Sequence, residues 1–101
     1  MAQLLVLYST PADPAAFDRY HRETHIPLAR KIPGLRSHSI SDGPVQALAG
    51  TAPHLVAVLD FDSMANLSAA LNSPEGQAAA ADLPNFASSG ATLLIYDNKS
   101  V

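Results

Sequence analysis

HLVAVLDFD, residues 54–62, is apolar on both faces of an extended chain: Leu55, Ala57, Leu59 and Phe61 alternate with Val56 and Val58. Side chains along a strand point to opposite faces in turn, so a stretch like this belongs in the middle of a sheet with both faces covered. QLLVLYS, residues 3–9, has the same character, with Leu4, Val6 and Tyr8 against Leu5 and Leu7, and it stops at the turn signal Ser9-Thr10-Pro11. Two further stretches are strand-capable. LRSHSISD (35–42) alternates weakly and is polar enough for a sheet edge, and GATLLIYD (90–97) closes the chain's regular structure.

The segments between these strands have helical spacing. Asp13 followed by Pro14 predicts a helix start, with aspartate as N-cap and proline at the first position, where its missing N–H costs nothing. Phe17, Tyr20, His21, Thr24 and Leu28 then share one face of the wheel, opposite Arg19, Glu23 and Arg30. Pro27 should kink or restart this helix, which is expected to end near Ile32, before Pro33-Gly34; Gly34 is expected at positive φ. Residues 43–53 read as a loop. Ser63 can cap a second helix carrying Met64, Leu67, Ala70 and Leu71, interrupted at Asn72-Ser73-Pro74 and followed by the helical piece PEGQAAAADL. The order is β-α-β-β-α-β. It predicts an α+β, ferredoxin-like four-stranded antiparallel sheet with its helices on one face, in a single domain over residues 1–101.

That arrangement leaves a difficulty. Two helical layers cannot form on both sides from this chain, yet both faces of the central strands are apolar. A homodimer with two such sheets face to face resolves it.

Composition narrows the function classes. Of 101 residues 48% are hydrophobic and only 15% charged, as expected of a packed domain. With no cysteine there is no disulfide, thiolate metal site or thiol nucleophile. The net charge of −3 disfavours nucleic acid, and Arg19, Arg22, Arg30, Lys31 and Arg36 read as solvated charges around one helix, two of them near its C-terminus. The opening MAQLLVLYSTPAD lacks a basic leader and its apolar run is too short to span a bilayer, so a cytoplasmic protein with no membrane partner is expected.

Within HRETH, residues 21–25, His21 and His25 lie four apart on one helical face. Two imidazoles so placed could reach one metal, but the pattern is not H-E-x-x-H, Glu23 points away, and no further ligand is near in sequence, so no metal site is expected. His25 has two readings. It either ends a helix, bonded to a carbonyl freed by Pro27, or presents a nitrogen to a bound ligand as acid, base or donor. His21, Tyr8, Tyr20 and Tyr96 are candidate lining groups of a ligand cleft, although packing is the ordinary role of such side chains. Phe17, Phe61 and Phe86 read as core, and Asp60 and Asp62 as strand-end or solvated carboxylates.

The stretch FDRYHRETHIPLARKIPGLRSH (17–38), with FDSMANLSAALNSPEGQAAAADLPNF (61–86) and LLIYD (93–97), resembles the EthD family of dimeric α/β-barrel proteins. The most telling parts are Phe17 to Leu28, the turn Pro33-Gly34-Leu35-Arg36, Ser73-Pro74-Glu75-Gly76 and Asp82-Leu83-Pro84-Asn85-Phe86. The family is similar in architecture to muconolactone isomerases, cofactor-free quinone-forming monooxygenases and haem-handling barrels, and takes its name from ethyl tert-butyl ether degradation. The resemblance implies a cleft between sheet and helices in each protomer, with His25 at its mouth and Phe86 nearby. It implies a small hydrophobic or aromatic ligand and no cofactor. Two functions remain open: a cofactor-free lyase, isomerase or oxygenase with His25 as acid/base, or a non-catalytic dimer that carries a small ligand or haem.

Overall fold

Strand β1 (Ala2–Tyr8) runs antiparallel to both β3 (Leu55–Phe61) and β4 (Ala91–Asp97), and β2 (Ser37–Ile40) adds to the outside of β3, giving the order β2-β3-β1-β4. This is the ferredoxin-like arrangement, seen in a computed structural model that describes residues 1–101. The two apolar strands do occupy the centre. β2 is only four residues long, because its serines offer the sheet little side chain to bury.

The register assigns every strand residue to a face. Leu4, Val6 and Tyr8 of β1 stand opposite Leu59, Ala57 and Leu55 of β3, and all six are buried under the helices. The helical layer is α1 (Pro14–Tyr20), a π-helical turn (His21–His25), α2 (Ile26–Ala29), α3 (Met64–Asn72) and α4 (Pro74–Phe86). Asp13 caps α1 through the Ala16 amide and Ser63 caps α3 through the Asn66 amide, as their positions in the sequence predict. No helix is long and apolar enough to cross a membrane.

Two prolines are accommodated differently from the simple expectation. Upstream of Pro27 the chain does not merely kink: the Ile26 amide reaches back five residues to the His21 carbonyl, and the helix widens into a π turn. Proline's ring would press on the carbonyl four residues before it, and the wider turn relieves that pressure. Pro84 lies inside α4, which runs on to Phe86, three residues past the expected end at Leu83.

On the far face of the sheet, Leu5 and Leu7 of β1 stand beside Val56 and Val58 of β3 and Leu94 of β4. No element of the chain covers them. At one end of this face a polar row crosses all four strands: Tyr96 donates to Gln3 Oε1 (2.6 Å), Gln3 Nε2 donates to Asp60 Oδ1 (2.7 Å), and the Ser37 hydroxyl donates to Asp60 Oδ2. Asp62 is separate, taken by the Arg36 guanidinium at 2.9 and 2.6 Å. Strand β4 leaves Leu93, Leu94, Ile95 and Tyr96 each between 38% and 48% exposed.

Helices α3 and α4 meet at Ser73, whose hydroxyl donates to the Ala70 carbonyl and accepts from the Gly76 amide at 3.0 Å. Gly76 is required by proximity, since a Cβ there would stand 2.1 Å from the Ala70 carbonyl oxygen. Gly34 is required by conformation: its φ is +80°, as expected, while an added Cβ would meet only the Phe61 ring at 4.0 Å. Alanine in a helix is favoured over glycine by up to about 1 kcal/mol. At Gly76 that gain should be overwhelmed by overpacking, which costs about 1–3 kcal/mol or more. In urea titrations Gly76→Ala should therefore lose more stability than Gly34→Ala, for which about 1 kcal/mol is expected. A Gly76→Ala midpoint equal to wild type would show that the α3–α4 contact yields freely.

Candidate functional site

The buried stripe of α4 is Gly76, Ala79 and Asp82, an aspartate placed where its neighbours are small and apolar. A carboxylate in such a position needs donors, and three side chains supply them. Tyr20 donates to Oδ1 at 2.6 Å, Asn85 Nδ2 to Oδ1 at 2.9 Å, and His25 Nδ1 to Oδ2 at 2.9 Å. Burial alone would raise the Asp82 pKa, but these hydrogen bonds and the histidine together hold it below the ordinary carboxylate value. Asp82 is thus ionised and can only accept. The hydrogen between it and His25 must sit on Nδ1, so that whenever the ring carries a single hydrogen Nε2 is bare.

The π turn presents His25 to this carboxylate, with 9% of its side chain exposed. Phe86 lies against the ring at a centroid distance of 4.6 Å, and Tyr20 stacks on Phe86 at 5.3 Å. Tyr20 and Phe86 consequently act from behind His25; neither borders the cleft that His25 faces.

That cleft lies between the helices and the buried face of the sheet. It is bordered by Leu4, Val6 and Tyr8 of β1, by Ala57 and Leu59 of β3, and by apolar groups of α2 and α4. Its volume is about 60 Å³, room for a few water-sized groups. Almost the whole lining is apolar, and four polar side chains interrupt it: Tyr8, His21, His25 and His38.

These four are not bonded to the protein on the cleft side. Among the hydrogen bonds of the fold none involves the Tyr8 hydroxyl, either ring nitrogen of His21 or His38, or Nε2 of His25, yet no buried side-chain nitrogen or oxygen is sealed without a partner. Their free polar atoms are therefore not sealed from solvent, and all four residues border the cleft, His21 also bordering a second surface pocket beside Asp18 and Arg22. Burial raises the Tyr8 pKa further above its ordinary value, with the Asp82 charge adding to it, so the hydroxyl keeps its proton. His21 is 2% exposed, and burial, with the nearby charges of His25 and His38, lowers its pKa to about 4. It is neutral at pH 7. The same holds for His38 in direction, through burial first and then the charges of Arg30 and His25.

Several expectations change in detail. His25 is not bonded to a carbonyl near Pro27; its partner is a carboxylate from a distant helix, because the π turn rotates the ring toward α4. Tyr96 stands on the opposite face of the sheet, in the polar row with Gln3, and so is removed from this cleft by the strand alternation. The His21 and His25 rings stack at 5.8 Å, and no three His, Asp or Glu side chains converge as metal ligands. The sequence analysis assigns no site role to Asp82, Asn85 or His38, although the first two lie in a segment that carries the family resemblance. The signal for Asp82 was present: with Gly76 and Ala79 it makes an i, i+3, i+6 series, which puts a charge on the stripe that faces inward. His38 needed the register, which sets it opposite Leu59 on the helix side.

The family model of the EthD domain matches residues 9–90. An uncharacterized 11.0 kDa protein from the thcB–thcC intergenic region of Rhodococcus erythropolis is 42% identical over 103 aligned positions, covering 100% of this chain and 98% of that protein. The crystal structure of an EthD family protein from Bacillus halodurans superposes with a TM-score of 0.88 at 33% identity, over 98% of this chain and 99% of the other. A dimeric ferredoxin-like protein of unknown function from Thermobifida fusca shares the fold, with a TM-score of 0.69 at 17% identity over 94% and 88% of the two chains. The match runs through the π turn, the capped α3–α4 junction and the Asp82 segment alike, and on it this chain belongs to the EthD family.

Proposed function

We propose that this protein is a homodimer that binds a small hydrophobic or aromatic molecule in the cleft and acts on it by cofactor-free proton transfer, in a lyase, isomerase or oxygenase reaction, with His25 as the base. The observation that carries this reading is the Asp82–His25 pair, which supports a bare Nε2 facing an apolar cleft. An imidazole held in one tautomer by a buried carboxylate is prepared to take a proton, because the carboxylate stabilises the imidazolium that forms. The apolar walls favour ligands with little charge, and in a dry cleft the electrostatic support from Asp82 is stronger than in water.

4-Nitrophenol, whose anion absorbs in the visible, is a suitable probe of the base. Below the probe's own pKa the wild-type protein should bind it and show the phenolate band, whereas His25→Gln should bind at least about tenfold more weakly and show no band, the loss of one charge-assisted hydrogen bond being worth about 1.5–3 kcal/mol. Equal binding with equal ionisation in the variant would contradict the assignment.

The homodimer rests on the uncovered sheet face and on β4, where four consecutive large apolar residues are exposed. The relative from Thermobifida fusca, described as dimeric, is consistent with this. Light scattering at micromolar concentration should give twice the 10.6 kDa chain mass, and Leu5→Glu, on this face of the central strand β1, should give the single-chain mass. A wild-type mass of one chain would remove the dimer from the account.

A further inference from the structure

The cleft has two walls, and each carries an imidazole. His25 enters from the helical layer with its tautomer fixed by Asp82; His38 enters from the sheet, where β2 places it opposite Leu59. His38 has no bond to the protein, and an uncharged imidazole always carries one N–H to donate. No hydrogen bond joins it to His21, His25 or Tyr8, the other polar groups of the lining, so its N–H is available to a ligand.

We infer that the cleft is an enolisation site, in which Nε2 of His25 removes a proton from the carbon beside a carbonyl while the N–H of His38, from the opposite wall, bonds the carbonyl oxygen. This rests on the reading of His25 as a base and adds the substrate class: a small, largely apolar ketone or related carbonyl compound with an α-hydrogen. The C–H bond breaks toward Nε2, its electron pair forms the C=C bond, and the carbonyl π pair moves to the oxygen. The His38 hydrogen stays on His38. The imidazolium of His25 then returns a proton to the same carbon or to a conjugated one, so the step needs no oxidant, reductant or co-reactant.

The placement of charge decides between His38 and the other free donor, the Tyr8 hydroxyl. Negative charge develops on the oxygen as the proton leaves. Tyr8 lies within reach of the Asp82 carboxylate, which opposes such charge, while His38 lies within reach of the Arg30 guanidinium, which favours it. A neutral imidazole donating to a developing enolate, beside a separate base, is an established division of labour in proton transfer next to carbonyls. Burial keeps His38 uncharged at neutral pH, so it donates without first having to lose a proton.

The test is exchange of α-hydrogens into D₂O, followed by proton NMR on acetone and butanone, small enough for the cleft, with the folded state of each variant checked by its melting transition. The wild-type protein should accelerate exchange of at least one of the two ketones above the buffer rate. His25→Gln should abolish the acceleration, His38→Phe should lower it by about 10²-fold, the usual worth of such a donor, and Tyr8→Phe should lower it less than His38→Phe. No exchange by a wild-type protein that still ionises 4-nitrophenol through His25 would overturn enolisation and leave the base in place. Failure of both assays would remove the base itself. Unchanged exchange in His38→Phe, with the loss falling on Tyr8→Phe, would show that the donor is the tyrosine and overturn the role given to His38.

Discussion

A carboxylate buried in a small domain must be fully supplied with donors, and the support of Asp82 governs much of this structure. At 7% exposure it takes hydrogen bonds from Tyr20 on α1, His25 on the π turn and Asn85 one turn further along α4. Leaving such a group unpaired would cost several kcal/mol. The requirement ties α4 to the first helical segment across 57 and 62 residues of chain, sets the rotation of the His25 ring, and thereby defines which imidazole nitrogen faces the cleft. Phe86, one residue beyond Asn85, packs on His25 and Tyr20.

The sheet imposes the second constraint. Its central strands are apolar on both faces, so one face makes the floor of the cleft and the other needs a partner. No element of residues 1–101 lies over that other face. Cleft and uncovered face are thus consequences of the same two strands, and the residues of β1 divide cleanly between them: Leu4, Val6 and Tyr8 on one side, Leu5 and Leu7 on the other.

Much of this was legible in the sequence. The alternation in HLVAVLDFD and QLLVLYS placed the central strands, and Asp13, Ser63 and Gly34 marked turns and caps, because each of these signals is local and acts through the backbone. The site was legible only in part. Spacing put His21 and His25 on one face but assumed an ordinary helix, and a π turn changes where a ring points without changing the residues that make it. Partners separated by more than fifty residues leave no periodic trace, so Asp82 and His38 came into view only through tertiary contact and strand register. Tyr96 shows the converse: its place on the face away from the cleft follows from the register with Gln3, which the sequence of β4 alone does not carry.

The central claim is that Asp82 holds His25 as the Nδ1–H tautomer with Nε2 free toward the cleft. Nitrogen-15 spectra of the histidine side chains, recorded at a pH where the rings are neutral, report this directly. The account predicts an N–H type resonance for Nδ1 of His25 and an unprotonated type for Nε2, with that preference lost in Asp82→Asn. A His25 ring protonated at Nε2, or one divided evenly between the two tautomers in the wild-type protein, would contradict it.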